Sequence, residues 1–233
     1  MYHKAYTSQL RSLCRADQSR MDAWMNRDVH SWIILCVVAV FLGCGLFGAV
    51  VGSWRAPLQG LYTGIKFPCL ILLTLTANGV INGMLGQVLN TGLTFKQSFV
   101  ASLMGFTVFA LVVGSLAPVL GFLILIAPEP GNAASSSWHS RFLLTNTAIV
   151  AYAGIAGNLQ AYRLLAAYCG QPSAALRTLL AWLGLNLFVG SQLAWLCRPI
   201  FGQPQQAVQF LRPNFNESNF FENAFFHLQR FFS

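Results

Sequence analysis

The sequence predicts an all-α, polytopic membrane protein: a bundle of five transmembrane helices with amphipathic segments at both ends. Composition is the first reason. Of 233 residues, 55% are hydrophobic and 9% charged, whereas a soluble domain carries about 25% charged residues. A chain so short of charge does not cover a water-facing surface of ordinary polarity, and the bilayer is its natural solvent. Segmentation is the second reason. Five apolar runs, separated by short turn-rich gaps, come close to the ~20 residues a helix needs to cross the hydrocarbon. Charge placement is the third: no Asp, Glu, Lys or Arg falls near the middle of any run, as burial in lipid demands.

The N-terminal segment, residues 1–31, reads as cytoplasmic and amphipathic. Leu10, Leu13, Met21, Trp24 and Met25 fall near one helical face, with Arg11, Arg15, Asp22 and Asp28 elsewhere. That pattern suits a helix on a membrane surface or against a partner. The transmembrane domain occupies 32–197. Its first span, 32–54, has no charge and a tryptophan at each end, as interfacial belts prefer, and is too long and aromatic for a cleaved leader. The second, 67–89, is the most polar. The third, 98–126, is long enough to tilt or kink, with Pro118 supplying the kink. The fourth, 141–168, carries Asn146 and Asn158, and the fifth, 179–197, carries Asn186 and Gln192. The gap "RAPLQGLYTGIK" between the first two spans reads as a loop, which places Arg55 and Lys66 outside the helices.

Basic residues set the orientation. With the N-terminus inside, Lys4, Arg11, Arg15, Arg20, Arg27, Lys96, Arg163 and Arg177 lie on the inner side. Arg55, Lys66, Arg141, Arg198, Arg212 and Arg230 lie on the outer. Eight against six, out of fourteen, predicts a cytoplasmic N-terminus and an extracytoplasmic C-terminus in a bacterial inner membrane. The scattering of the same charges argues against nucleic acid as a partner, despite a formal net charge of +8.

Amides and small residues take the place of charges within the spans. Asn78 and Asn82 are four apart and share a face of the second helix, with Gly79 and Gly83 alongside in a G-x-x-x-G. A second such pair is Gly48 and Gly52 in the first helix. Small residues let helix backbones approach, and amides then bond across the contact for about 0.6–2 kcal/mol each. Two readings follow. Asn78, Asn82, Asn158 and Gln192 line a polar pathway or pocket, or the amides are the glue of a compact bundle.

No constellation points to catalysis. The four histidines, His3, His30, His139 and His227, are far apart in sequence, and no phosphate loop, H-E-x-x-H or G-x-S-x-G occurs. Six cysteines form no C-x-x-C, and those in apolar runs behave as small hydrophobes. The sequence therefore predicts no cofactor, no metal site and no enzyme. Ion-coupled transport is disfavoured too, because moving charge requires ionisable groups at mid-membrane.

Residues 198–233 form an extracytoplasmic tail in which an Arg-Pro pair occurs at Arg198 and again at Arg212 before phenylalanines accumulate. Asn219 with Glu222 three residues later is a capping box. A helix from Phe220 puts Phe221, Phe225, Leu228 and Phe232 on one stripe, with Phe220 beside it. Burying such a face is worth about 1.5–3 kcal/mol per phenylalanine, against membrane lipids or against another membrane-protein subunit.

The runs "KFPCLILLTLTANGVINGMLGQVL", "GSLAPVLGF" and "VGSQLAWLCRPIFGQPQQAVQFLRPNFNESNFFENAF" resemble a group of bacterial five-span membrane proteins distantly similar to the Yip/Yif (Yip-domain) family of membrane-trafficking proteins. The resemblance runs from about residue 55 to 226. It implies a five-helix bundle with its N-terminus in the cytosol and its C-terminus on the opposite side, and it implies no activity. Eukaryotic relatives bind small GTPases through N-terminal segments longer than this one, so that role does not transfer. The functional expectation is a non-catalytic membrane subunit or scaffold, binding partners through helix faces and the aromatic tail. The alternative is a channel or a small-molecule or lipid transporter with an amide-lined pathway.

Overall fold

Helices are the only regular elements among the described residues of this computed structural model, which are 2–15, 17–26, 29–89, 91–129, 135–202, 207–214, 219–223, 225 and 229. Two short N-terminal helices, α1 (Tyr2–Cys14) and α2 (Gln18–Asn26), lead into five long ones: α3 (Val29–Ser53), α4 (Pro57–Val88), α5 (Phe95–Leu125), α6 (Ser135–Tyr168) and α7 (Pro172–Leu196). All five are long and apolar enough to cross a membrane.

The long helices start earlier than hydropathy alone indicates. In α4 the first turn begins at Pro57, whose fixed φ and missing N–H suit an N-terminal helical position. The stretch read as a loop is helical from there on, so Lys66 lies inside α4. The chain also runs helically through Pro68 and, in α5, through Pro118. The α5 start is fixed by a capping box the sequence reading passed over: Thr94 Oγ1 accepts from Gln97 N at 3.3 Å, and Gln97 Oε1 accepts from Thr94 N at 2.9 Å. Pro172 opens α7 as Pro57 opens α4.

The N-terminal segment is two helices rather than one. The break falls at Asp17, which accepts from Ser19 Oγ at 2.9 Å and pairs with Arg20 at 3.9 Å. Leu13, Met21 and Trp24 are buried against the bundle itself, with Trp24 stacked on Trp32 at 3.7 Å between ring centroids. They join a cluster with Leu93, Leu164, Ala175 and Trp182 at one end of the bundle. A second cluster, around Phe47, Trp54, Leu120 and Phe142, gathers Cys197, Ile200 and Phe201 at the other end. An odd number of crossings thus puts the N-terminal helices and the start of the tail at opposite ends.

Close backbone approach organises the interior. A Cβ at Gly52 would lie 2.5 Å from Gln59 O, and one at Gly48 would lie 2.6 Å from Thr63 O, so α3 meets α4 backbone to backbone. The share of each helix core buried by protein is 44% for α4 but 6% for α7, which makes α4 central and α7 peripheral. Outward-facing leucines such as Leu144, Leu125 and Leu187 are 64–83% exposed. Patches of that kind would drive aggregation in water and match hydrocarbon in a bilayer. The chain is a multi-pass integral membrane protein, with its apolar outer surface in contact with lipid.

Candidate functional site: the polar stripe of α4 and the strap across it

Six polar residues of α4, Gln59, Thr63, Lys66, Thr74, Asn78 and Asn82, recur at spacings that hold them to one slowly drifting stripe of the helix. All six are buried. An apolar-surrounded polar group costs free energy unless it is bonded, so the partners decide what the stripe does.

At the N-terminal end of the bundle the partners are other helices. Asn78 Nδ2 donates to Asn186 Oδ1 of α7 at 2.7 Å. Asn82 Nδ2 donates to Ser102 Oγ of α5 at 3.4 Å, and the Asn82 carbonyl accepts from the buried Trp182 Nε1 at 3.1 Å. One pair of amides therefore ties α4 to α5 and α7. Gly79 and Gly83 lie against the Phe99 and Phe95 rings of α5, where a Cβ would collide with the ring edge. Asn78 Oδ1 and Asn82 Oδ1 remain without hydrogen-bond partners, as does Ser98 Oγ of α5.

At the tail end the partners are backbone carbonyls of a strap. After α7 the chain turns at Cys197 and crosses α4 through Arg198, Pro199 and Ile200. Lys66 Nζ donates to Pro199 O at 2.9 Å and stands 4.8 Å from the centre of the Phe210 ring. Gln59 Nε2 donates to Pro199 O at 3.4 Å and to Ile200 O at 3.3 Å, and Thr63 Oγ1 also donates to Ile200 O. Tyr62 meets Phe210 edge-on at 5.2 Å. Gly202, at φ +72°, packs so closely that a Cβ there would sit 3.1 Å from Arg55 Cγ. Three consecutive inward positions of α4 thus clamp the strap.

Further along, the tail returns to α7. Gln192 Oε1 accepts from Phe220 N at 3.0 Å, Phe221 stacks on Phe188 at 4.7 Å, and Phe220 meets Trp195 at 6.3 Å. The capping box forms as read: Glu222 N donates to Asn219 Oδ1 at 2.8 Å and Asn219 N to Glu222 Oε2 at 3.3 Å. Phe225 stays 61% exposed. Phe232 lies outside the described residues.

The four amides singled out in the sequence do not meet. Asn158 Nδ2 turns back to Gly154 O of its own helix at 2.8 Å, and Gln192 serves the tail. Only Asn78 and Asn82 share a neighbourhood, and the residues that complete it are Asn186, Ser102 and Trp182. Sequence reasoning missed Lys66, Gln59 and Thr63. Their spacing back from Asn78 was the available signal, hidden because hydropathy ended the span at Phe67. Compared with protein-family models, curated proteins and solved structures, the chain matches none.

Proposed function

We propose that the chain is a non-catalytic integral membrane subunit, a scaffold for other membrane proteins in a bacterial inner membrane, with its N-terminus cytoplasmic and its tail extracytoplasmic. The bond from Asn78 to Asn186 carries the reading. It spends a fully buried amide of the stripe on holding α7 to α4, which is what a packing device does. Support also comes from the tail, whose Phe220 and Phe221 dock on α7 while Phe225 projects outward. The tail side of α7 thus offers a ready aromatic surface to a neighbouring subunit through Phe225. The kinship with Yip-like five-span proteins is part of the same proposal, and rests on the Arg-Pro stretch and its S-N-F-F ending.

Purification of the full chain in mild detergent tests it. A stoichiometric protein partner that is lost when residues 214–233 are deleted is the expected outcome. A homogeneous chain with no partner, before and after deletion, refutes the scaffold.

The unpartnered oxygens of Asn78 and Asn82 favour a second reading, a channel or transporter for small molecules or lipids with an amide-lined pathway. That reading expects Asn78→Leu with Asn82→Leu to abolish flux across reconstituted vesicles while folding survives. Unchanged flux removes it.

A further inference from the structure

Three cations lie on or against the strap where it crosses α4, two of them, Arg198 and Arg212, side by side. Lys66 is 3% exposed and has one carbonyl and one ring face for partners. Arg198 stands over the Trp195 ring, its Cζ 3.0 Å from the ring centre, and its Nε donates to Trp195 O at 2.8 Å. Arg212 is brought beside it by the backbone: Arg212 N donates to Arg198 O at 3.3 Å. Among the described residues, none of the three has a carboxylate partner. Burial, and to a lesser degree the neighbouring Arg212 guanidinium, push the Arg198 pKa below its ordinary value.

Holding cations in company at the edge of the hydrocarbon is costly unless an anion balances them. The Trp195 contact holds the Arg198 guanidinium and uses only Nε, leaving the terminal fork free. Such a fork fits the oxygens of a phosphate, and a guanidinium already held in place loses little freedom on binding. Depth agrees. With 32 residues, α4 is about 48 Å long against about 30 Å of hydrocarbon, and Lys66 lies about 14 Å from the helix start. That puts its Cα about 5 Å inside the boundary, within snorkelling reach of the headgroup layer.

We propose that Lys66, Arg198 and Arg212 form a phosphate site at the tail end of the bundle, filled by the phosphodiester of an anionic phospholipid. The acyl chains would lie along the apolar outer surface, and the headgroup would secure the strap to α4. The inference is independent of whether the protein serves as a scaffold.

The test uses the full chain in nanodiscs of phosphatidylcholine alone, of phosphatidylcholine doped with phosphatidylglycerol, and of phosphatidylcholine bathed in inorganic phosphate. Native mass spectrometry reads retained lipid, and thermal unfolding reads stabilisation. Phosphatidylglycerol should be retained and should raise the unfolding temperature. Arg198→Gln with Arg212→Gln should lower retention roughly ten-fold or more, the loss of one or two charge-assisted bonds. Arg198→Lys with Arg212→Lys, which keeps the charge and removes the fork, should lie between the two. It also decides the matter if the glutamine pair fails to fold. Arg163→Gln with Arg177→Gln, at the opposite end, should change nothing. Stabilisation by inorganic phosphate alone, lost in the same arginine variants, keeps the site and makes its source soluble. Equal retention by the wild type and both strap variants overturns the proposal, as does equal loss in the Arg163 and Arg177 pair.

Discussion

The bond between Asn78 and Asn186 is the sharpest point at which packing can be tested. Asn78 is fully buried, Asn186 is half-buried, and they meet at 2.7 Å. Asn186→Ala strands the Asn78 amide in the interior with neither its nitrogen nor its oxygen bonded. Asn78→Ala strands only a half-buried oxygen. Leaving a buried polar group unmade costs about 1–3 kcal/mol, so Asn186→Ala should lie toward the upper part of that range for its polar contribution. The double variant strands neither group of this pair. Its destabilisation should therefore fall short of the sum of the singles by about 0.6–2 kcal/mol, the usual size of an interhelical amide bond in lipid. Reversible unfolding in mixed micelles titrated with a denaturing detergent gives all four free energies. Additivity within ~0.3 kcal/mol would mean the two amides do not interact, and the account of α4 and α7 would fail with them.

Other consequences follow from the same contacts. Gly52→Leu should cost at least ~1–3 kcal/mol by forcing α3 off Gln59 and Thr63 of α4, whereas Gly154→Leu, with nothing within 4 Å of its Cβ position, should leave the thermal midpoint unchanged. Lys66→Met removes a charge-assisted bond to Pro199 O, and hydrogen exchange at the Arg212 amide should quicken roughly ten-fold. The exposed Lys96, changed in the same way, should have no effect there. Burial raises the Cys169 pKa, so less thiolate is present at neutral pH. Maleimide labelling of Cys169 should be slower than that of free cysteine at pH 7 and should catch up only at higher pH, as stopped-flow rates would show.

Much of the architecture was legible because lipid burial writes plainly in sequence. Five apolar runs without central charges specify five crossings, and an odd number places the ends apart. The capping box at Asn219 and Glu222, and the apolar face of Leu13, Met21 and Trp24, were legible from short-range spacing. What hydropathy hid were the helix starts. The first turns of α4 carry Gln59, Thr63 and Lys66 on the inward side and Leu58, Leu61 and Ile65 on the outward side, so their average reads as loop. Only the helical spacing back from Asn78 marks the inward residues as one surface. The partners of the amides were not legible at all. Whether Asn158 turns to its own helix or to a neighbour depends on how the helices rotate in the bundle, and no local pattern fixes that. The strap is a contact between residues more than 130 apart in sequence, and single-sequence periodicity carries no such information.

Topology mapping tests the central claim most directly. The exposed Cys14 and the junction residue Cys169 lie at the N-terminal end of the bundle, whereas the exposed Asn214 belongs to the tail. Single-cysteine chains retaining Cys14 or Cys169, or carrying Asn214→Cys in a cysteine-free background, would be treated in sealed vesicles with a membrane-impermeant maleimide. Five crossings predict that Cys14 and Cys169 label from one side and Asn214→Cys only from the other. Labelling of Cys14 and Asn214→Cys from the same side would contradict the account.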